Sequence, residues 1–383
     1  MPAFKPLTVA VCALLAPLEE AAPEVWVIVA RAGMVLAVIL AFRLGRDLGG
    51  TAAGVAAAAG VALCGDLIGY SAAGAEPGWT IAFALAGIEA WRADRPRAAL
   101  ACGVACALLR VEAWPFLLVF GLMLWRRRPE DRALLVACAA AIPALWFVPE
   151  LLGSGDVLRS GARARVPNPG QPALSDLPAL ASLWAAAKLL LIPLWIGVVL
   201  ALRDRSARLV AAAGGAWVLL VAAMAEAGFS GEPRYALPGV ALLAIAGAAG
   251  LARVAFARRV VVGVAVVAAA VPAVVELRDV RDAQAHQWAL ARDLGDAVAA
   301  AGGREAVLAC GRPYVGRYRG PLMAYALEVA KRTVEPDLAP RAPGVVFRAR
   351  LTTASAPAPE AGPPFREAVR VGEWEVLRNC SSN

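Results

Sequence analysis

Long apolar stretches alternate with short polar breaks over roughly the first 275 residues of the 383-residue chain. Each stretch is rich in Ala, Leu and Val, and each break holds clustered arginine or Gly and Pro. A bilayer core requires about 20 apolar residues in a straight helix, whereas shorter runs are re-entrant or packed inside a bundle. We predict about ten helical spans, namely Val25–Phe42, Thr51–Tyr70, Gly78–Trp91, Ala98–Leu109, Phe116–Trp125, Ala133–Val148, Leu180–Leu202, Leu209–Ala225, Ala236–Leu251 and Val260–Val275.

The pattern changes near Asp279, where apolar runs shorten and charges intersperse. This tail is long enough for one small α/β domain. Its predicted elements are a helix over His286–Ala301, a strand over Ala306–Cys310, a helix over Pro321–Arg332, strands over Gly344–Ala349, Arg366–Val371 and Trp374–Leu377, and a linker over Thr352–Pro364. We expect a transmembrane helical domain over residues 1–282 and an α/β domain over 283–383.

Composition supports an all-α polytopic transmembrane bundle for the larger part. The chain is 60% hydrophobic and its mean hydropathy is +0.64. The net charge is +8, but from Glu276 onward 15 basic residues face 13 acidic ones, so most of the excess lies in the membrane part. Basic loops on the inner side of the membrane account for that excess, and we predict no nucleic-acid partner.

Clustered arginine predicts how the protein is oriented in the membrane, because short loops rich in Lys and Arg stay cytoplasmic. The basic breaks fall on alternate connections: Arg43–Arg46, Arg92–Arg97, Arg126–Arg132, Arg203–Arg208 and Arg253–Arg259. The outer connections are then Ser71–Pro77, Arg110–Pro115, Glu150–Pro178 and Glu226–Tyr235. We expect a multi-pass plasma-membrane protein with its C-terminal domain outside, and Leu7–Leu18 as a helix at the outer interface.

Arg110 and Glu112 interrupt an apolar region between Ala98–Leu109 and Phe116–Trp125. A charge at the centre of a bilayer costs about 2.5–3.5 kcal/mol on insertion scales. The alternation of basic loops favours a helical hairpin with both residues at its outer tip. Two interpretations remain open: a solvated turn, or a polar site at the membrane surface.

The outer connection Glu150–Pro178 breaks the charge rule, since it carries Arg159, Arg163 and Arg165. One interpretation is a surface loop whose arginines meet lipid headgroups. The other is a clamp for an anionic phosphate, because guanidinium pairs bidentately with phosphate oxygens.

Several chemistries are absent from the sequence. A single histidine, His286, excludes triads and multi-histidine metal sites, and no phosphate-binding loop of the Walker type occurs. We predict no metal and no cofactor. Five cysteines lie in apolar helices, whereas Cys310 and Cys380 lie in the proposed outer domain. In an oxidising compartment this pair is a disulfide candidate.

The order of motifs resembles the GT-C fold glycosyltransferases, which transfer a sugar from a polyprenyl-phosphate donor at the outer membrane face, and in particular the dolichyl-phosphate-mannose mannosyltransferase-like members. The residues that carry the resemblance lie between Phe4 and Gly250. They are Phe4-Lys5-Pro6-Leu7 at the entry to an interfacial helix, Ala30–Gly33 through Phe42–Arg46, the turn Ala73–Pro77, the turn Leu109-Arg110-Val111-Glu112, similar to an Arg-Pro-Glu turn, and Gly231–Pro238, similar to an Arg-Tyr-Leu-x-Pro entry.

The resemblance implies a polyprenyl-phosphate-sugar donor among the membrane lipids and a cell-envelope glycan, lipid or protein as acceptor. It also implies a substrate site at the outer turns. Its candidate residues, with the loop arginines included, are Glu76, Arg110, Glu112, Arg159, Arg163, Arg165, Glu232, Arg234 and Tyr235.

One departure concerns catalysis, because family members carry a catalytic Asp or Glu in an outer loop that precedes the segment matching Phe4–Leu7. Here Met1 stands just before that segment. We therefore expect the first helix and the catalytic loop to be missing, through truncation, a misplaced start or loss. No catalytic residue is assigned; Glu19, Glu20 or Glu76 would substitute only with suitable geometry, and sugar transfer by this chain should be weak. The alternative function is a noncatalytic lipid-binding scaffold or carrier.

Overall fold

The computed structural model describes residues 5–65, 67–254, 256–316, 319–334 and 339–380, with most side chains of 256–277 left out. Helices dominate, at 71% of the chain, beside one small sheet. The chain divides into two compact units, Pro2–Leu277 and Arg278–Asn383. The mainly helical class predicted from the sequence is confirmed. The domain boundary at residues 282/283 stays a prediction.

Fourteen helices begin in the first unit, within the described residues. They are α1 Pro6–Leu15, α2 Ala22–Gly49, α3 Thr51–Ala62, α4 Leu67–Ala72, α5 Pro77–Arg92, α6 Pro96–Leu109, α7 Trp114–Arg127, α8 Arg132–Ser154, α9 Arg159–Ala164, α10 Pro178–Lys188, α11 Ile192–Ala201, α12 Arg205–Glu226, α13 Leu237–Leu251 and α14 Phe256–Ala300. Short 3₁₀ turns lie at Ala16–Ala21, Val111–Ala113, Pro129–Asp131, Pro172–Leu174 and Pro233–Tyr235.

Three helical segments among the described residues are long and apolar enough to cross a bilayer: Pro6–Gly49, Pro129–Ser154 and Arg205–Glu226. Counting the bent pair α10 and α11 as one span gives up to four. Three further apolar helices, α3, α6 and α13, have between 10 and 17 residues. The predicted number of about ten spans therefore stays a prediction.

Two predicted spans are broken in the structure, Thr51–Tyr70 and Leu180–Leu202. The first is divided into α3 and α4 by a turn at Gly65, where φ is +48°. The second is divided into α10 and α11, which meet at a bend of 101°. The two breaks contact each other, since the Gly65 N–H donates to the Leu189 carbonyl at 3.2 Å. Each break thus satisfies a backbone group that the other frees.

Helix α13 forms the centre of the bundle. All of its residues from Leu237 to Leu251 are buried, as expected for a helix that is apolar on every side. Small residues allow close contact with its neighbours: a Cβ at Gly250 would lie 2.0 Å from the Gly197 carbonyl of α11, and one at Gly239 would lie 2.7 Å from the Gly214 carbonyl of α12. Close packing of small residues is the usual way in which membrane helices associate.

The predicted hairpin at Arg110 is present as α6, the turn Val111–Ala113 and α7. Helix α6 ends at Leu109, where Arg110 adopts an extended conformation with φ −143° and ψ 125°. At the far end of the hairpin, Arg97 pairs with Asp131 across 2.7 Å. The two helices therefore run side by side, with Arg110 at the tip.

The second unit contains the end of α14, the helices α15 Gly303–Cys310 and α16 Gly320–Ala326, and a 3₁₀ turn at Lys331–Thr333. Its strands are β1 Arg312–Tyr314, β2 Gly344–Arg350, β3 Pro357–Ala358, β4 Arg366–Val371 and β5 Trp374–Asn379. They form a sheet in the order β1-β2-β5-β4, with β3 paired to β2. Strands β1 and β2 are parallel, and the other pairs are antiparallel.

Three details of the predicted tail are wrong. Ala306–Cys310 belongs to a helix rather than a strand, because its buried residues Val307 and Cys310 follow a helical spacing of three. Pro321–Arg332 holds a seven-residue helix and a separate 3₁₀ turn rather than one helix. The predicted linker Thr352–Pro364 contains the short strand β3.

Cys310 and Cys380 are joined by a disulfide, with their Cα atoms 4.6 Å apart. Cys310 ends α15, and Cys380 directly follows β5. The bond therefore closes a loop of 70 residues around the sheet. The core beside it contains Trp374 and Phe347, both completely buried.

Candidate functional site

Four separate segments of the first unit bring charged side chains together. Lys5 precedes α1, Glu76 precedes α5, and Arg110 and Glu112 lie at the tip of the hairpin between α6 and α7. The fourth segment is the 3₁₀ turn Pro233–Tyr235, preceded by Glu232, which leads into the central helix α13. We call these residues, with Arg234 and Tyr235, the charged cluster.

Arg110 occupies the middle of the charged cluster. Its Nη2 atom lies 3.4 Å from Glu76 Oε1, and its Nη1 atom lies 3.9 Å from Glu112 Oε1. The guanidinium also lies over the ring of Tyr235, with Cζ 4.2 Å from the ring centroid. Only 7% of the Arg110 side chain is exposed, so these partners replace water around the guanidinium.

Lys5 forms an ion pair with Glu76. Burial raises the pKa of the Glu76 carboxyl, but the charges of Lys5 and Arg110 outweigh that effect and lower the pKa to about 2. Burial and the charge of Arg110 lower the pKa of Lys5 to about 8, against the opposing effect of Glu76. Near neutral pH the Glu76 carboxyl is therefore ionised and the Lys5 amine is mostly protonated.

Lys5 is a further residue of the site that was not predicted from the sequence, where it appeared only as part of a helix entry. A signal was available. The chain has three lysines, Lys5, Lys188 and Lys331, among 38 basic residues, and Lys5 stands directly before a long apolar segment.

Arg234 pairs with Glu232, as a charge at such a position requires. Its Nη2 atom lies 2.8 Å from Glu232 Oε2. The guanidinium also faces two aromatic rings, with Cζ 5.4 Å from the centroid of Tyr235 and 6.0 Å from that of Tyr70. With 33% of its side chain exposed, Arg234 is the most accessible cation of the charged cluster, because Lys5 and Arg110 are 16% and 7% exposed.

Three buried atoms of the charged cluster have no hydrogen-bond partner: Arg110 Nη2, Glu112 Oε2 and Arg234 Nε. Buried polar atoms are nearly always hydrogen-bonded in folded proteins, so each exception calls for an explanation. These atoms comprise two donors and one acceptor. That combination suits a polar ligand with both anionic oxygens and hydroxyl groups.

Tryptophan residues fix the turns that carry the charged cluster. Trp26 on α2 donates to the Gly74 carbonyl at 2.8 Å, which holds the turn that leads to Glu76. Trp217 on α12 donates to the Tyr235 carbonyl at 2.8 Å, which holds the entry to α13. The indoles of Trp114 and Trp146 share the Ala107 carbonyl, each at 3.1 Å, just before the hairpin tip.

The loop arginines lie at the same end of the bundle but on its surface. Arg159 and Arg163 are exposed on α9, and Arg165 follows it. The Arg165 guanidinium lies over the ring of Phe229, with Cζ 5.0 Å from the centroid. The loop also bonds to this region through the Ala173 N–H, which donates to the Ser230 carbonyl at 3.3 Å. Arg165 is thus linked to the segment that carries Glu232.

The basic breaks gather at the opposite end of α2 and α6. Arg92 lies 3.8 Å from Asp47, and Arg97 lies 2.7 Å from Asp131. Arg253 lies 3.0 Å from Asp204 and also donates to the Leu48 carbonyl at 3.4 Å. These contacts connect all five basic breaks, as alternate connections of a bundle require. Which end is cytoplasmic stays a prediction.

Among the residues that the structure describes, no group of three or more His, Cys, Asp or Glu side chains is arranged to hold a metal ion.

Two crystal structures of ArnT from Cupriavidus metallidurans are similar to this chain over nearly its whole length. The structure bound to undecaprenyl phosphate gives a TM-score of 0.55 at 14% identity, covering 99% of this chain and 88% of that chain. The apo structure gives 0.51 at 17% identity, covering 98% and 88%. No protein-family model and no curated protein sequence matches the chain. ArnT has the GT-C fold, so this chain shares that fold, and the GT-C resemblance found in the sequence is confirmed.

Proposed function

We propose that this protein is an integral membrane glycosyltransferase that uses a polyprenyl-phosphate-sugar donor at the outer membrane face. The charged cluster would bind the donor phosphate. The observation that carries the proposal is the meeting of three cations, Lys5, Arg110 and Arg234, from distant parts of the chain. They meet in a fold shared with a protein whose structure holds undecaprenyl phosphate.

Energetics favour a ligand site over a structural role for the charged cluster. Burying ion pairs costs desolvation energy, and replacing them with apolar groups is often neutral or stabilising. A bundle built from Ala, Leu and Gly needs no such cluster to pack. Charged residues inside membrane proteins are usually functional for this reason.

The lipid phosphate fits the charged cluster chemically. Charge-assisted hydrogen bonds from arginine and lysine to phosphate oxygens are short and strong, and arginine engages two oxygens at once. During transfer, negative charge accumulates on the departing phosphate. Fixed cations stabilise such charge most effectively in a site that excludes water.

In the catalytic form of the proposal, Glu112 accepts the proton of the acceptor hydroxyl. The acceptor oxygen forms a bond to the anomeric carbon, the bond between that carbon and the phosphate oxygen breaks, and polyprenyl phosphate leaves with the electron pair. Among the carboxylates of the charged cluster, Glu112 has an oxygen without a hydrogen bond. Glu76 is a poor base, because its pKa of about 2 leaves it little affinity for a proton.

A noncatalytic lipid-binding scaffold or carrier is the second candidate, and one observation favours it. All three cluster carboxylates, Glu76, Glu112 and Glu232, are already ion-paired with cations. Only 4% of the Glu112 side chain is exposed, so an acceptor needs an opening movement to reach it. Phosphate binding requires no such base.

Binding of undecaprenyl phosphate and of undecaprenol to the purified protein in nanodiscs tests the site. We expect the phosphate lipid to bind and the alcohol to bind far more weakly. Lys5→Met and Arg234→Gln should each weaken phosphate-lipid binding by roughly tenfold or more, since a hydrogen bond to a charged group contributes about 1.5–3 kcal/mol. The controls Lys188→Met and Arg205→Gln, which alter basic residues outside the charged cluster, should leave the affinity unchanged. Equal affinity for both lipids would contradict the proposal.

An assay of sugar transfer distinguishes the glycosyltransferase from the noncatalytic lipid-binding protein. Donors with different sugars on polyprenyl phosphate would be supplied to membranes that contain the protein and native acceptors. Transfer by the wild type, with a loss of about 10²–10⁴-fold in Glu112→Gln, would support the enzyme with Glu112 as the base. Tight phosphate-lipid binding without transfer from any donor would support the noncatalytic form.

A further inference from the structure

Two ion pairs of the charged cluster join residues of one short turn, whereas Lys5 with Glu76 and Arg110 with Glu76 join segments that are far apart in the chain. The local pairs are Glu232 with Arg234, at 2.8 Å, and Arg110 with Glu112, at 3.9 Å. Breaking a local pair separates no helices. Because 20% of the Glu232 side chain is exposed against 4% for Glu112, the pair of Glu232 is the one that can open toward water at least cost to the fold.

The Glu232 side chain makes no contribution to the turn itself. Its backbone carbonyl accepts the Tyr235 N–H at 2.9 Å, which the side chain does not affect. Glu232 stands at the N-cap of the 3₁₀ turn, yet its carboxylate accepts no capping hydrogen bond. The side chain therefore serves Arg234 rather than the backbone.

Glu232 binds only one of the two guanidinium nitrogens on the side of Arg234 that faces it. The Nε and Nη2 atoms of an arginine lie side by side and bind two oxygens of one anion in a fork. Glu232 engages Nη2, whereas Nε is buried and has no hydrogen-bond partner. A phosphate with an oxygen on each of these nitrogens would satisfy both.

Charge balance gives a reason why a carboxylate of the charged cluster would be replaced by a phosphate. The charged cluster contains three cations, Lys5, Arg110 and Arg234, and three carboxylates, Glu76, Glu112 and Glu232. An incoming phosphate adds negative charge to a balanced group, so one carboxylate must move away or remain beside it at a Coulombic cost. Glu232 is the most exposed carboxylate, at 20% of its side chain against 11% for Glu76 and 4% for Glu112.

We infer that Glu232 is an internal competitor for the lipid phosphate: it holds the Arg234 guanidinium in the lipid-free state and gives way to the phosphate on binding. Glu232 thereby sets the affinity of the site and keeps Arg234 from holding its product too tightly. The inference rests on the proposed function, because it assigns a role within the same phosphate site.

The test is the affinity of the full-length protein in nanodiscs for undecaprenyl phosphate. Glu232→Gln should bind this lipid about threefold to fivefold more tightly than the wild type, because a partly exposed ion pair has a small free energy. Glu24→Gln is the matched control. Glu24 is exposed in the first turn of α2, near the same end of the bundle, and its removal changes the net charge by the same amount. The control should leave the affinity unchanged.

A second comparison uses protein that already carries Arg234→Gln. It separates competition for the Arg234 guanidinium from the general effect of removing one negative charge. With no guanidinium to compete for, Glu232→Gln should bring no gain in that background. An equal gain there, or an equal gain in Glu24→Gln, would overturn the inference, and so would unchanged or weaker binding by Glu232→Gln alone.

The outcomes also separate this inference from the proposed function. Binding by the wild type with no effect of Glu232→Gln would overturn the exchange and leave the phosphate site standing. Binding by Glu232→Gln but not by the wild type would support the exchange in its strongest form. Absence of binding by both proteins would overturn the phosphate site and the exchange together.

Discussion

The guanidinium of Arg110 lies over the ring of Tyr235, with its Cζ atom 4.2 Å from the ring centroid. This contact joins the tip of the α6–α7 hairpin to the entry of the central helix α13. Because Arg110 also approaches Glu76, one side chain connects three of the segments that form the charged cluster. The position of the hairpin tip therefore depends on an aromatic face as well as on charge.

Replacing Tyr235 should show how much this face contributes. A desolvated cation–π contact has a free energy of about 2 kcal/mol, so Tyr235→Leu should lower the midpoint of thermal unfolding in detergent. Tyr235→Phe retains the ring and should unfold near the wild-type temperature. Equal midpoints for Tyr235→Leu and the wild type would show that the ring does not hold Arg110.

Acid should weaken the charged cluster through Glu76. Its pKa in the folded protein is about 2, below the ordinary value of 4.5, so the folded state binds fewer protons than the unfolded state between these values. The resulting stabilisation, on the order of 3 kcal/mol, is complete above 4.5 and is lost as the pH falls toward 2. Thermal unfolding of the wild type should therefore show a steeper loss of stability below about pH 4.5 than that of Glu76→Gln.

Glu24→Gln is the control for this comparison, because it removes an exposed carboxylate near the same end of the bundle. Its acid profile should follow the wild type. A Glu76→Gln profile that also follows the wild type would contradict the ion pairing assigned to Glu76.

The order of motifs along the sequence was sufficient to predict the GT-C fold and the turns that carry the charged cluster. A charged pair between two apolar runs predicted the hairpin at Arg110, and the alternation of arginine predicted which connections lie together. Hydrophobicity could not predict the breaks at Gly65 and near Leu189, because a straight helix and a broken helix have the same pattern of apolar residues. The breaks depend on contact between two segments distant in sequence.

The charged cluster was only partly predictable for a related reason. Position at an outward turn indicated Glu76, Glu112 and Arg234, but the pairing of each with its partner depends on tertiary structure. Lys5 was not predicted although lysine is rare in this chain, because its pairing with Glu76 depends on tertiary structure. The short run Ala306–Cys310 was wrongly predicted as a strand, since five apolar residues fit a helix or a strand equally well.

The disulfide between Cys310 and Cys380 should stabilise the second unit. Closing a loop of 70 residues restricts the unfolded chain by about 4 kcal/mol on the chain-entropy model. Cys310→Ala with Cys380→Ala should therefore make the tail sensitive to limited proteolysis at a lower temperature than in the wild type. The exported wild-type protein should carry no reactive thiol at either position, and labelling of both by maleimide without reductant would contradict the bond.

Topology can be tested by cysteine labelling of intact cells in a background that lacks the five free cysteines. A cysteine at Ala358, in β3, should react with an impermeant maleimide, because we predict that the tail is external. A cysteine at Pro129, between α7 and α8, should react only after the cells are opened. Protection at Ala358 together with labelling at Pro129 would reverse the predicted orientation.

We propose that the charged cluster, rather than the surface arginines of the Glu150–Pro178 loop, holds the phosphate of a polyprenyl lipid. Photo-crosslinking distinguishes these two sites when the polyprenyl phosphate carries a diazirine on the isoprene unit next to the phosphate. Peptide mapping should place the adducts on the turns at residues 70–76, 110–114 and 232–235. Unlabelled undecaprenyl phosphate should reduce the labelling by competition, whereas undecaprenol should not. Adducts confined to residues 159–165, or adducts that undecaprenol removes equally well, would contradict the account.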